Sequence, residues 1–279
     1  MAVITTDADD MLWANSYKYD SGYTECFRYF CKVFGRYMPS LKEVHSRFWK
    51  IDGDLFKTWG VKRGRVAMAM LALYREIRAW VEWRYGVKIK SAEHEDEIER
   101  IGDTPFNFSK DAWDPIAYEV FSALKATPGT RLCLRTSYDT TVWPVRAEHF
   151  GVYEMFPREH VRATNFRKTK EDFIAVSGWT PETDADNIWI AMGNAESDIL
   201  PALEISENWY GLYFPFGTTS KYAESAAGLR LFTPPPIDHP RVVTEKYIGD
   251  FWTAADKLRE LIKQRTGWSD GEVAAKLSL

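Results

Sequence analysis

Three cysteines, Cys26, Cys31 and Cys133, are all that 279 residues contain, and no two form a Cys-x-x-Cys pair. That excludes a disulfide-stapled secreted scaffold and a structural zinc site built from closely spaced pairs. It points instead to reduced thiols in a cytosol-like compartment. Long apolar runs are also missing: nothing approaches the ~18 residues that suggest a membrane span. The opening "MAVITTDADDMLW" has no basic start and no apolar stretch, so no signal peptide is expected. The expectation is a soluble, cytoplasmic protein without a membrane partner.

A surplus of positive charge is absent too. The formal net charge is −4 and the pI about 5.8, which argues against a surface wholly devoted to nucleic acid but leaves room for a local basic patch. Complete chemical motifs are equally scarce. "GVKRGRV", Gly60 to Val66, lacks the Walker spacing and its closing Lys-Ser/Thr. "HEDEIER" has no second histidine to complete a zinc face, and "PETDADN" breaks the EF-hand register. None of the histidines, 45, 94, 149, 160 and 239, lies in a nucleophile-elbow or cysteine-protease signature. No cofactor and no metal site are expected.

What the chain does have is apolar and aromatic material. Hydrophobic residues make up 45% and aromatics 15%, enough for a well-packed core with rings left over for an interface. Tyr23, Phe27, Phe30 and Phe34 recur at helical steps, and Ser40 with Glu43 forms a capping box ahead of Leu41, Val44, Phe48 and Ile51. Val66, Met70, Leu73, Ile77 and Val81 make the strongest stripe, closed by Gly86. From Thr130 the runs shorten: "RLCLRTS", "TTVWPVRA", "GVYEMF", "DFIAVSGW", "NIWIAM", "PALEIS", "WYGLYF" and "GLRLF" all read as strands. After "TPPPIDHP" a helical period returns, and Ser269 with Glu272 opens a short last helix.

The fold expected from this order is α+β: a helical N-terminal half, a mainly antiparallel β-sheet region, and C-terminal helices packing on the sheet. The stretches are 1–129, 130–240 and 241–279, able to form one composite domain.

Two basic runs are candidate phosphate sites. Lys62, Arg63 and Arg65 sit where the positive end of a helix macrodipole should lie, a mismatch that a bound phosphate would relieve. Arg162, Arg167 and Lys168 surround Phe166, the composition of a single-strand binder. In both places solvated charge is the ordinary reading. Asp198 or Glu204 could hold a divalent cation if such a site were catalytic. The stretch "ISENWYGLYFPFG" is apolar in both strand phases, so Trp209, Tyr210 and Tyr213 belong either to a covered core strand or to an interaction surface.

Two functions compete on these residues. The first is a non-catalytic binding protein that recognises a protein partner or assembly through an aromatic and charged surface. The alternative engages phosphates, as a nucleic-acid binder or as an enzyme acting on nucleic acid or nucleotides. The acidic pI places the first ahead.

Overall fold

"AVITT", the strand β1 (Ala2–Thr6), is rich in branched residues and buried along its whole length. A strand apolar on both faces must be covered on both, and this one lies at the middle of the sheet. The structure, a computed structural model, describes residues 1–90, 92–218 and 236–277.

The other strands are β2 (Thr130–Ser137), β3 (Val161–Thr164), β4 (Ile188–Gly193), β5 (Trp209–Tyr213) and β6 (Val242–Thr244). Their order across the sheet is β3-β2-β1-β4-β5-β6, and every pairing is parallel. Ile4 is level with Leu132 on one side and Ile190 on the other.

After β1 come α1 (Ser16–Phe34), α2 (Leu41–Trp59), α3 (Arg65–Tyr85) and α4 (Ala92–Gly102), then α5 (Pro115–Ala126) leading into β2. The capping box of α2 forms: Ser40 Oγ accepts from the Glu43 amide at 3.3 Å, and Glu43 Oε2 accepts from the Ser40 amide at 3.1 Å. Between the later strands lie α6 (Trp143–His149), α7 (Val152–Met155), α8 (Lys170–Ser177), α9 (Pro181–Asp184) and α10 (Leu200–Leu203). The chain closes with α11 (Phe251–Thr266) and α12 (Asp270–Lys276).

This architecture corrects the expected α+β fold. The sheet is all-parallel rather than antiparallel, and the N-terminal half contributes its central strand. The cause lies in four runs that look like strands. "TTVWPVRA", "GVYEMF", "DFIAVSGW" and "PALEIS" contain α6, α7, α8 and α10, short helices within the crossovers that parallel strands require. Pro144 at the start of α6 and Gly178 at the left-handed cap of α8 are helix punctuation, not strand breaks. The expected strand "GLRLF" lies outside the described residues.

Both faces of the sheet are covered. Ile4, Leu134, Ile190 and Leu212 pack with Phe121 of α5 and Phe251 and Leu258 of α11. Val3, Cys133, Trp189 and Trp209 pack with Phe173 of α8 and Leu203 of α10. Helices α1 to α4 instead close around their own core, including Phe30, Phe48, Leu73 and Ile98. Among the described residues no helix is long and apolar enough to cross a membrane.

From β1 the sheet is extended one way by β2 and β3 and the other way by β4, β5 and β6. The order reverses between β1 and β4, and open parallel sheets bind ligands in the crevice outside the carboxyl ends of the strands at such a point.

Candidate active site at the ends of β1 and β4

The residues that follow β1 are Asp7, Ala8, Asp9 and Asp10. The Asp7 amide donates to the Met192 carbonyl at 3.1 Å, which pins this acid beside the end of β4. The chain then turns sharply. Leu12 donates to the Ala8 carbonyl at 2.8 Å, and Asp10 adopts φ +62°, the only left-handed non-glycine among the described residues. Asp10 Oδ1 accepts from the amides of Asn15 and Ser16, at 2.8 and 3.0 Å, and so starts α1. Asp10 is thus a capping residue, whereas Asp7 and Asp9 meet partners from other elements.

Lys168, between β3 and α8, is buried with its ammonium 2.7 Å from Asp7 Oδ1. The same ammonium donates to Asp198 Oδ1. Asp198 is oriented by its other oxygen, which accepts from the amides of Asn194 and Ala195 at 3.1 and 2.9 Å in the turn after β4. Asp9 is held by Trp13 Nε1 at 2.8 Å, Asn15 Nδ2 at 3.0 Å and Arg146 Nη2 at 3.0 Å. Arg146 is completely buried and lies over the rings of Tyr138, Trp13 and Phe150, at 4.4, 5.1 and 5.7 Å from their centroids.

Burial is the largest influence on both acids. It drives the Asp7 carboxyl up to about 7, with Lys168 opposing and Asp198 and Asp9 reinforcing. It raises Asp9 as well, against the attraction of Arg146. Asp7 Oδ1 makes the ion pair with Lys168, whereas oxygens buried here without a hydrogen bond include Thr136 Oγ1 near the end of β2 and the Tyr138 hydroxyl. Buried polar atoms left unmatched in this way are a common mark of a ligand site.

A cavity of about 620 Å³, bordered by Asp9, Asn15 and Asn194, lies beside these groups, between α1 and α2 on one side and the strand-end loops on the other. That is the size of a small-molecule site.

Lys168, Arg65 and Arg167 are the expected phosphate residues that reach this region: Lys168 lies between Asp7 and Asp198, and the other two line the cavity. Arg65 is buried and paired with Asp52. Lys62 is exposed. Arg63 pairs with Asp103 at 2.7 Å, and Arg162 pairs with Asp172 at 3.1 Å. Asp198 is in the site, while Glu204 is exposed at the end of α10. Trp209, Tyr210 and Tyr213 are buried within β5, so they form no exposed interaction surface; Tyr213 borders the cavity. Asp7, Asp9, Thr136 and Arg146 lie outside the set of residues expected from sequence. The available signal was an apolar branched run ending in Asp-x-Asp.

No family model and no curated protein matches the sequence. Solved structures do. A haloacid dehalogenase-like family hydrolase from Xanthomonas campestris is similar over 95% of this chain and 94% of its own, with 17% identity and a TM-score of 0.65. A 2-haloacid dehalogenase from Pseudomonas syringae shares 14% identity over 92% of this chain and 99% of its own, with a TM-score of 0.46. The first likeness gives the fold: a haloacid dehalogenase-like α/β architecture. It overturns the expectation of a non-catalytic protein-binding module, whose aromatic anchors are in any case buried in the core.

Proposed function

We propose that the protein is a hydrolase of small phosphomonoesters, with Asp7 as nucleophile and Asp9 as general acid and base. The observation that carries this reading is the pairing of Asp7 with Lys168 and Asp198 at the switch point, with a second, separately held carboxyl two residues on. A carboxylate can form a covalent intermediate that splits one difficult displacement into two easier ones.

An Asp7 oxygen attacks phosphorus, the bond from phosphorus to the ester oxygen breaks, and protonated Asp9 gives its proton to the departing alkoxide. Asp9, now a carboxylate, takes a proton from a water that attacks the same phosphorus. The acyl-phosphate bond breaks, releasing phosphate and restoring Asp7. An acid of raised proton affinity suits an alkoxide leaving group; a halide needs no proton. Lys168 holds Asp7 in place and offsets charge on the phosphoryl oxygens, and Thr136 Oγ1 is an available donor to them.

A divalent cation would suit the charge of this site, because Asp7, Asp9 and Asp198 outnumber Lys168 and Arg146. Magnesium is commonly held by one or two carboxylates together with substrate phosphate. Asp7 and Asn194, which borders the cavity, would hold it, and it would supply neutralisation of phosphoryl charge.

The test is hydrolysis of 4-nitrophenyl phosphate with magnesium, followed by hydroxylamine trapping and mass spectrometry. The expected result is phosphate release that chelator abolishes, with hydroxamate on Asp7. Unchanged turnover in Asp7→Asn would overturn the reading.

A further inference from the structure

Arg135, on β2, is completely buried. Cys133, two residues earlier and so on the same face of the strand, packs with Val3, Trp189 and Phe173. A guanidinium in such a layer is costly unless its donors are matched. Here Nε has no hydrogen-bond partner among the described residues, and the bonds run from the two ends of the fork. Nη1 donates to the Thr136 carbonyl, and Nη2 donates to Asp172 Oδ2 at 2.6 Å.

Asp172 has a second counter-charge. Its Oδ1 accepts from Arg162 Nε at 3.1 Å, and Arg162 is level with Arg135 across the β2–β3 ladder. Nor does α8 need Arg135 in order to start. Asp172 Oδ2 accepts from the Thr169 amide at 3.0 Å and from Thr169 Oγ1 at 3.2 Å, contacts that cap the helix by themselves. What Arg135 adds is a tie from the end of β2 to the start of α8. Thr136 lies at one end of that tie, and Lys168, the residue before Thr169, lies just beyond the other.

We infer that Arg135 is a positioning residue: by joining the Thr136 carbonyl to Asp172 it fixes the separation of Thr136 and Lys168, the groups that would meet the phosphoryl oxygens. It acts through these two groups and not on the substrate itself. This deepens the phosphomonoesterase reading and rests on it. A displacement of about 1 Å in a stabilising group can cost on the order of 10²-fold in rate, so a rigid tie behind both groups bears directly on turnover.

The experiment measures kcat and KM on 4-nitrophenyl phosphate with magnesium for wild type, Arg135→Met, Arg135→Lys and Asp172→Asn. Inhibition by inorganic phosphate and by orthovanadate is measured alongside, and urea denaturation reads stability separately. Arg135→Met leaves Asp172 paired with Arg162 and the helix cap intact. The fold should therefore persist, with kcat lowered about 30-fold and KM moved less than about threefold. Orthovanadate, which resembles five-coordinate phosphorus, should bind about tenfold more weakly, and inorganic phosphate should be much less affected. Arg135→Lys keeps the charge without the two-ended fork and should recover little of kcat. Asp172→Asn breaks the same tie from its other end and should show the same split, which keeps the test open if Arg135→Met folds poorly. If wild type turns over through Asp7 but the variants lose stability with kcat within about threefold of wild type, the positioning assignment fails while the phosphomonoesterase reading stands. Full turnover in Arg135→Lys would sink it in the same way, because charge alone would then suffice. If wild type releases no phosphate and binds neither inhibitor, both fall.

Discussion

Arg146 lies 3.0 Å from Asp9 and has no access to solvent. Its Nε and Nη1 find no hydrogen-bond partner, so the aromatic rings around it and the Asp9 carboxylate are its main compensation. Breaking a buried pair from one side leaves an uncompensated charge, at a cost of ~3–5 kcal/mol. Arg146→Met should lower unfolding free energy by about that amount, measured by urea denaturation at pH 8. It should lose far more activity on alkyl phosphates than on 4-nitrophenyl phosphate, whose leaving group needs little help from an acid. Equal losses on both would argue against Asp9 as the proton donor.

Asp7→Asn separates stability from activity. The native carboxyl titrates near 7 against an ordinary 3.8, so between those values the folded chain binds more protons than the unfolded one. Stability of the metal-free protein therefore falls as pH rises through that window. Asparagine has no charge to bury. The variant should be more stable than wild type by on the order of 2 kcal/mol at pH 8, with the gap closing toward pH 4. Thermal melts in chelator at several pH values read this directly, and turnover should fall at least ~10³-fold.

Among the described residues, Lys168 is the cation that meets both Asp7 and Asp198. Replacing it with methionine should cost ~3–5 kcal/mol at pH 8. The loss should shrink at pH 5, where Asp7, whose carboxyl burial drives up to about 7, takes up a proton in its place. Lys168→Arg, charged but larger, should recover part of the stability and little of the activity. A loss of stability independent of pH would contradict this charge assignment.

Gly60 joins the helical unit to the sheet loops. Its φ is +64°, and an added Cβ would stand 1.8 Å from the Asn165 carbonyl oxygen. Its neighbour Val61 donates to that same oxygen at 2.6 Å. Gly60→Ala should displace the α2–α3 turn, lower stability by ~1–3 kcal/mol and raise KM more than it lowers kcat. Steady-state kinetics on 4-nitrophenyl phosphate and a denaturation curve test both halves.

The long helices were legible because their periodicity is long. Val66 to Val81 repeats over several turns, and the Ser40–Glu43 and Ser269–Glu272 boxes mark starts that the structure reproduces. Strand direction was not legible. A parallel sheet differs from an antiparallel one in what lies between strands, and here that is often a helix of one or two turns, too short for a period to emerge. The site was half visible. Lys168 and Asp198 attracted notice as isolated charges, but only folding shows that they converge, since 30 residues separate them. Asp7 and Asp9 carry no legible signal unless "AVITT" is a strand. Once it is one, two acids just beyond its end fall at the place where an open parallel sheet binds ligands.

The route of the chain after Asp10 carries a wider implication. It leaves the sheet at its central strand, builds α1 to α4 around a separate core, and rejoins at Thr130. Most of the residues that would choose the alcohol half thus belong to one contiguous insert, and most of those that would do chemistry on phosphorus lie outside it. Such an insert can be exchanged, diversified or transplanted while the reacting groups stay in register. On the proposed reading, a library confined to the insert would explore new substrates without rebuilding the catalyst.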